Sequence, residues 1–315
     1  MVNTTNATMT ISNSEVVSYQ TCPRKHFYSH VLELQPIVAS LALERGNTGH
    51  GALKLYYEAM IKGEKKEDCV QVAAEHIFVR ASNQIADMAN GNMDVEDQND
   101  RIKMYGELAT LIETYADYYW GRSYVPLEVE KAHIIKINDR LNLGLRIDLL
   151  AESINPTTKG DIEVVDWKFR YNFPKPKVLG LNGQLPKYIW AMRKEGQSVS
   201  KGKLDILRYR GLKSPELTNV FRREPIEPNA CAREMIMEDH IRTSEEIYQK
   251  KLLPVAEYRK EATRTLSELS CNFCPFTDIC TLELRGQDPT LTIATKYKPS
   301  EYGYDLNIQD EVLVF

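Results

Sequence analysis

The sequence predicts an α/β protein: a mixed central sheet flanked by helices, carrying a helical insertion. Three observations predict it. Helical patterns rich in Ala, Ile, Leu and Tyr fill most of the first 120 residues; strand-like runs separated by turn pairs appear only after Pro126; and a helix, a hairpin and a long amphipathic helix follow from Gln184 onward.

The elements follow in order. Ser12 or Ser14 can cap a first helix with Val16, Val17 and Tyr19 on its apolar positions, and Pro23 must break it or open a new first turn. A second helix is expected from about Thr48 to Ile61, and two more within 66–90 and 101–120, separated by an acidic loop, GNMDVEDQND, at 91–100. Val129–Ile137, Leu141–Ala151 and Ile162–Phe169 read as a meander, with turns at Asn138-Asp139 and from Asn155-Pro156 to Gly160. After a loop holding Pro174 and Pro176, a helix spans Gln184–Lys194, Leu204–Arg210 and Asn219–Arg223 form a hairpin, and Asn229–Leu253 closes as a helix. This organisation suggests one domain over 1–285, with the insertion at about 51–127, and an extension over 286–315.

With 315 residues, 43% of them hydrophobic, the chain can bury a sizeable core. The opening residues lack the basic and apolar blocks of a signal peptide, and no apolar run reaches membrane-span length, so a cytoplasmic protein without membrane contact is expected. In that reducing compartment six cysteines read as thiols or metal ligands. The net charge of −4 speaks weakly against a nucleic-acid partner, but its distribution does not. From Trp167 to Lys213 there are twelve Lys or Arg against two acids, Glu195 and Asp205, so this segment is near +10 and the rest near −14. Such a stretch attracts phosphate, although a solvated face would read the same way.

Two strands carry the chemistry. Gly144-Leu-Arg-Ile-Asp148 puts an acid on one, and Val164-Val-Asp166-Trp-Lys168 puts an acid and an ammonium on the same face of the next. If the strands pair across the 152–161 turn, Asp148 approaches Asp166. The repulsion of two such carboxylates is relieved by a hard divalent cation such as Mg²⁺ or Mn²⁺. An ammonium beside that ion can orient a water or stabilise a phosphoryl transition state. D-x-K alone is a weak signal, because strand-end Asp and Lys are common.

Four motifs in order resemble the RecB-like branch of the PD-(D/E)XK nucleases: Gly46-Asn-Thr-Gly-His50, Gly144 to Asp148, Val165-Asp166-Trp167-Lys168, and Gln184-Leu-Pro-Lys-Tyr188. The resemblance implies a restriction-endonuclease-like fold and a metal-dependent hydrolysis of DNA phosphodiesters that leaves a 5′-phosphate. It implies His50, Asp148, Asp166 and the backbone carbonyl of Trp167 as metal ligands, with Lys168 activating or positioning the water. Gln184 and Tyr188, one helical turn apart, would steady Lys168 or contact the DNA. Glu128 and Glu130 are weaker candidates for a supporting shell. Trp167, Tyr171, Phe173, Tyr188 and Trp190 are candidates for stacking on unpaired bases, and equally for the core.

Cys271-Asn-Phe-Cys274-Pro-Phe-Thr-Asp-Ile-Cys280, with Cys22 far upstream, resembles the arrangement of the iron–sulfur nucleases, namely the AddB nuclease domain and the CRISPR spacer-acquisition exonucleases. The resemblance implies a 4Fe–4S cluster; four thiolates hold Zn²⁺ as the alternative. Such a staple would close a loop of about 250 residues, worth roughly 5 kcal/mol at most by loop-closure entropy. Cys69 and Cys231 fall outside the pattern and read as scattered buried thiols. The acidic end of the chain reads as an extended segment or a partner-binding tail.

These readings predict an exonuclease acting on single-stranded or free DNA ends, with a helicase, an integrase or a single-strand-binding protein as the kind of partner. The alternative is a non-catalytic DNA-binding or scaffold subunit of a recombination or CRISPR-adaptation complex. The chain contains no P-loop, so any ATP-driven unwinding would come from elsewhere.

Overall fold

The computed structural model describes residues 8–89, 95–122, 124–210, 212 and 216–300. Strand β1 (Met9–Ser12) runs into α1 (Asn13–Thr21), capped by Ser12, whose hydroxyl accepts the Glu15 N–H at 3.1 Å. The helix stops at Cys22, whose backbone is extended (φ −166°, ψ 114°), as expected before a proline. Pro23 then opens α2 (Pro23–His26), where no backbone N–H is required. A π-helical turn (Phe27–Val31) and β2 (Leu34–Pro36) follow. Helix α3 (Leu41–Ile61) starts earlier than its apolar periodicity suggests, because the Ser40 hydroxyl caps it by accepting the Leu43 N–H. Next come α4 (Lys66–Ala89) and α5 (Val95–Tyr119). Residues 95–100 of the expected acidic loop are therefore helical: Glu96 and Asp97 sit in the first turn of α5, where the helix dipole favours acids. Residues 90–94 lie outside the described residues.

The meander is β3 (Tyr124–Lys136), β4 (Leu141–Ser153) and β5 (Ile162–Arg170). A short α6 (Pro176–Leu179) occupies the predicted proline loop. Helix α7 (Gln184–Lys194) has the predicted bounds, with Pro186 in its first turn. Strands β6 (Val199–Arg208) and β7 (Phe221–Ile226) pair antiparallel, and α8 (Ala230–Lys251), α9 (Val255–Glu261), α10 (Glu268–Asn272), α11 (Thr277–Leu284), α12 (Thr290–Lys296) and β8 (Tyr297–Pro299) complete the chain. The predicted tail strand at 301–315 lies outside the described residues. Among the described residues no helix is long and apolar enough to cross a membrane.

The chain forms two compact units, one from 1–39, 132–145 and 237 onward, the other from 40–131 and 146–236. In the second, the strand order is β4-β5-β6-β7: β4 and β5 are antiparallel, β5 and β6 parallel, and β3 also pairs with β4. Helices cover this mixed sheet on both sides. Tyr57 of α3 stacks on Trp167 of β5, ring centroids 5.5 Å apart. On the other face Leu185 of α7 lies against Gly202 of β6, where a Cβ would meet it at 3.0 Å. Helices α4 and α5 pack with α3 around a buried Glu44, which accepts hydrogen bonds from Arg80, Tyr105 and Thr48. Asp205, one of the two acids in the basic stretch, is fully buried on β6 and binds Tyr115 of α5 at 2.7 Å and Arg223 of β7 at 2.9 Å. Leaving one partner of such a buried pair alone is costly, so the three elements are tied together.

In the first unit β1 runs parallel to the opening residues of β4 (Met9↔Leu141 to Ser12↔Gly144), and β2 pairs antiparallel with β8. A cluster of Phe27, Tyr28, Tyr258, Phe276, Ile279 and Tyr297 fills the space among the chain ends.

Candidate metal centre

His50, Asp148, Asp166, Lys168, Gln184 and Tyr188 all lie in the second unit. The β4–β5 ladder ends at Leu149↔Val165. One step further Asp148 and Asp166 would stand opposite each other. There the strands part, and Asp148 Oδ2 instead accepts the backbone N–H of Trp167 at 2.8 Å. Asp148 thus reaches the backbone next to Asp166, whose own carboxylate is not among the ligand atoms that gather there. Helix α3 brings His50 to the same place: its Nδ1 is 3.5 Å from Asp148 Oδ2 and 3.4 Å from Glu130 Oε1. Ligand atoms of His50, Glu130 and Asp148 all lie within 4.8 Å of one another. An imidazole nitrogen and two carboxylates at that spacing suit a divalent ion with oxygen and nitrogen ligands.

Glu130 received only a weak signal from the sequence. Its backbone explains why. Glu130 has φ 47°, in the left-handed region that non-glycine residues rarely adopt. The buried positions along β3 change parity across it, from Tyr124 and Pro126 to His133 and Ile135. That is the behaviour of a β-bulge, which re-aims one side chain out of the regular alternation. A period-2 reading has no means of locating such a residue.

Asp166 is fully buried and faces Lys168, whose Nζ is 2.7 Å from both of its oxygens. Lys168 also donates to Gln184 Oε1 at 3.3 Å, and Gln184 Nε2 donates to Tyr188 OH at 2.6 Å. The i, i+4 pair on α7 therefore reaches the ammonium as a relay, Tyr188 to Gln184 to Lys168. Tyr188 is buried and has no face to offer a base, and Trp167 lies wholly in the core; both are corrected here as stacking candidates. The backbone of Trp167 engages the site through its N–H to Asp148.

The electrostatics follow from burial and like charge. Desolvation, and then the neighbouring Asp166 carboxylate, push Asp148 well above the usual carboxylate range. Burial alone would lower His50, but its hydrogen bond to the Glu130 carboxylate and the charge of Asp148 raise it. The crowding of acids that raises Asp148, and the raised imidazole beside it, are what a divalent ion would relieve. In the motif Gly46-x-x-x-His50, the first glycine is open, whereas a Cβ on Gly49 would lie 2.3 Å from the Phe169 ring. Gly49 is the residue that lets α3 close on β5 and deliver His50.

The four pattern cysteines belong to the first unit. Cys22 sits at the α1–α2 break, Cys271 in α10, Cys274 just beyond it and Cys280 in α11; all are half-buried and free of disulfides. They line one cavity of about 100 Å³, together with Arg24, Lys25 and Arg264. The Thr265 N–H points at Cys22 Sγ (3.4 Å) and Arg264 Nε–H at Cys280 Sγ (3.3 Å). Of the two remaining cysteines Cys69 is buried as expected, while Cys231 is exposed on α8, which corrects its reading as a buried thiol.

Residues 10–281 match the PD-(D/E)XK nuclease superfamily, and the chain belongs to it. Its mixed α/β architecture is that of the restriction-endonuclease-like fold. Among solved structures, one described as “Crystal structure of SSO0001” is similar at 14% identity, covering 86% of this chain and 85% of that one, with a TM-score of 0.34, a likeness too remote to bear on the site. Among curated proteins none matches.

Proposed function

We propose that the chain is a metal-dependent DNA exonuclease acting on single-stranded ends, and that it carries a 4Fe–4S cluster on Cys22, Cys271, Cys274 and Cys280. The observation that carries the nuclease reading is the convergence of His50, Glu130 and Asp148 beside the Asp166–Lys168 pair. His50, Asp148 and Glu130 would hold Mg²⁺ or Mn²⁺, with Asp166 and the Trp167 carbonyl completing the shell. Glu130 is an addition to the set implied by the motifs. When bound, such an ion would supply Lewis-acid stabilisation of the phosphoryl group and favour ionisation of the attacking water. The protein's own part is positional. Asp166 and Gln184 fix the Lys168 ammonium, which orients the attacking water and offsets charge developing on the phosphate. The buried Tyr188 keeps Gln184 from turning away.

Four half-buried thiols around one cavity, with two N–H groups directed at sulfur, fit a polynuclear cluster better than a single ion, which would draw the sulfurs to one point. The cluster is structural in this reading and holds the first helices to α10 and α11. Arg170 and the exposed cations around it would meet the strand.

The test is cleavage of end-labelled single-stranded DNA by anaerobically purified protein, with and without Mn²⁺, beside Lys168→Ala. Metal-dependent degradation that disappears in the variant is expected. Binding without cleavage under every metal, in both proteins, would overturn the nuclease reading in favour of a DNA-binding subunit.

A further inference from the structure

Asp166, Lys168 and Arg170 lie at alternate positions on β5 and so share one face of the sheet. The parallel register sets them beside Leu204, Ile206 and Arg208 of β6. Directly past the metal centre this face forms the floor of a cleft of about 290 Å³. Lys168, Arg170, Leu204 and Ile206 make the floor. Val178 and Leu179 of α6 supply an aliphatic wall, and Asn172 and Asn182 supply amides. The volume is near the lower end of small-ligand pockets, which begin at about 300 Å³.

The charges in this region are unequally committed. Lys168 is bound to Asp166, Lys203 to Glu163 and Lys201 to Asp161. The exposed Arg170 guanidinium has no side-chain partner among the described residues. It stands two residues beyond Lys168 on the same face, one strand repeat of about 7 Å, the order of the spacing between consecutive phosphates in an extended strand. An aliphatic wall with amide edges offers a base both a face and groups that donate or accept, without selecting one base.

We infer that this cleft is a nucleotide subsite: it takes the nucleotide adjoining the scissile phosphate, with Arg170 on the neighbouring phosphate and the base against Val178, Leu179 and Leu204. The inference rests on the nuclease reading for the identity of the scissile phosphate. Because the cleft is about one nucleotide in size, the occupant must be unpaired. Preference for single-stranded ends then arises in the pocket itself and needs no partner.

The probe is deoxyadenosine 5′-monophosphate, titrated into the full-length protein and followed by calorimetry or ligand-observed magnetic resonance. The variants are Arg170→Ala and Val178→Trp, both at exposed positions, with circular dichroism to confirm folding. Binding is expected to weaken about tenfold in Arg170→Ala, the loss of one charge-assisted contact, and to vanish in Val178→Trp. In parallel, single-stranded DNA with one abasic position is expected to stall cleavage at a fixed register, and that stall is expected to disappear in Val178→Trp. Equal affinity for the nucleotide in all three proteins, or cleavage indifferent to the abasic position, would overturn the subsite. The nuclease reading fails separately, by lack of metal-dependent cleavage in the wild type; nucleotide binding lost in Val178→Trp would still support the cleft.

Discussion

Single residues set the geometry of the candidate metal centre, and two make sharp predictions. Glu130 joins His50 and Asp148 from a left-handed backbone conformation that costs about 1 kcal/mol or more for a non-glycine residue. If it is a ligand, Glu130→Gln should weaken Mn²⁺ binding about tenfold or more in calorimetry while leaving the melting temperature of the metal-free protein unchanged or raised, because repulsion with Asp148 is relieved. Unchanged Mn²⁺ affinity would return it to a supporting role. Gly49 is the converse case, a residue needed for what it lacks. Gly49→Ala should destabilise the protein by about 1–3 kcal/mol through overpacking on Phe169, read as a lowered denaturant midpoint. Phe169→Leu in the same chain should recover part of the loss.

At the scale of elements, α1 and α2 depend on a buried polar network. Glu15 of α1 accepts from His26 of α2 at 3.0 Å and pairs with Lys251 of α8, and the other ring nitrogen of His26 meets Tyr258 OH at 2.8 Å. Burial would raise the Glu15 pKa, but the His26 hydrogen bond and the Lys251 ammonium outweigh it and hold the carboxyl at about 2. Its folded value lies below its unfolded one near 4.5, so the stabilisation is complete above that pH and is lost as pH falls toward 2. Glu15→Gln should therefore cost roughly 2–3 kcal/mol at pH 7, by chemical denaturation, and much less near pH 2.5. A variant equally destabilised at both pH values would assign the loss to packing instead. Helix α7 shows the opposite use of a cation. Lys187, counted among the basic residues of 167–213, is buried, and desolvation pushes its ammonium down to about 8. Not every cation of that stretch is available to a phosphate.

Over the whole molecule, the two units carry the two proposed inorganic groups separately, the thiols in one and the His50–Glu130–Asp148 set in the other. Ligands stabilise what they bind, by about 2.7 kcal/mol at a hundredfold excess over Kd. Hydrogen exchange should show Mn²⁺ protecting amides of α3, β4 and β5, whereas Cys274→Ser should expose those of α1, α2, α10 and α11. Protection spreading equally through both units in either experiment would mean that each group acts on the whole chain. A brown colour in the anaerobic protein, lost in Cys274→Ser, would separate a cluster from zinc.

What the sequence by itself determined is whatever local pattern encodes. The meander and its turns follow from period-2 runs broken by Asn, Asp, Pro and Gly; the Cys22 break follows from Pro23; and the order of the motifs points to the PD-(D/E)XK nuclease superfamily, which the match over 10–281 establishes at that level. The face shared by Asp166 and Lys168 is legible because alternation along one strand needs no other element. Only the tertiary structure decided which side chains from different elements meet. A bulge recruits Glu130, the tight spot in the His50 motif is Gly49 and not Gly46, and Trp167, Tyr188, Lys187 and Asp205 turn inward. Arg170 is left facing the cleft for the same reason: burial and pairing depend on register and packing between segments far apart in the chain, and local periodicity holds no record of them.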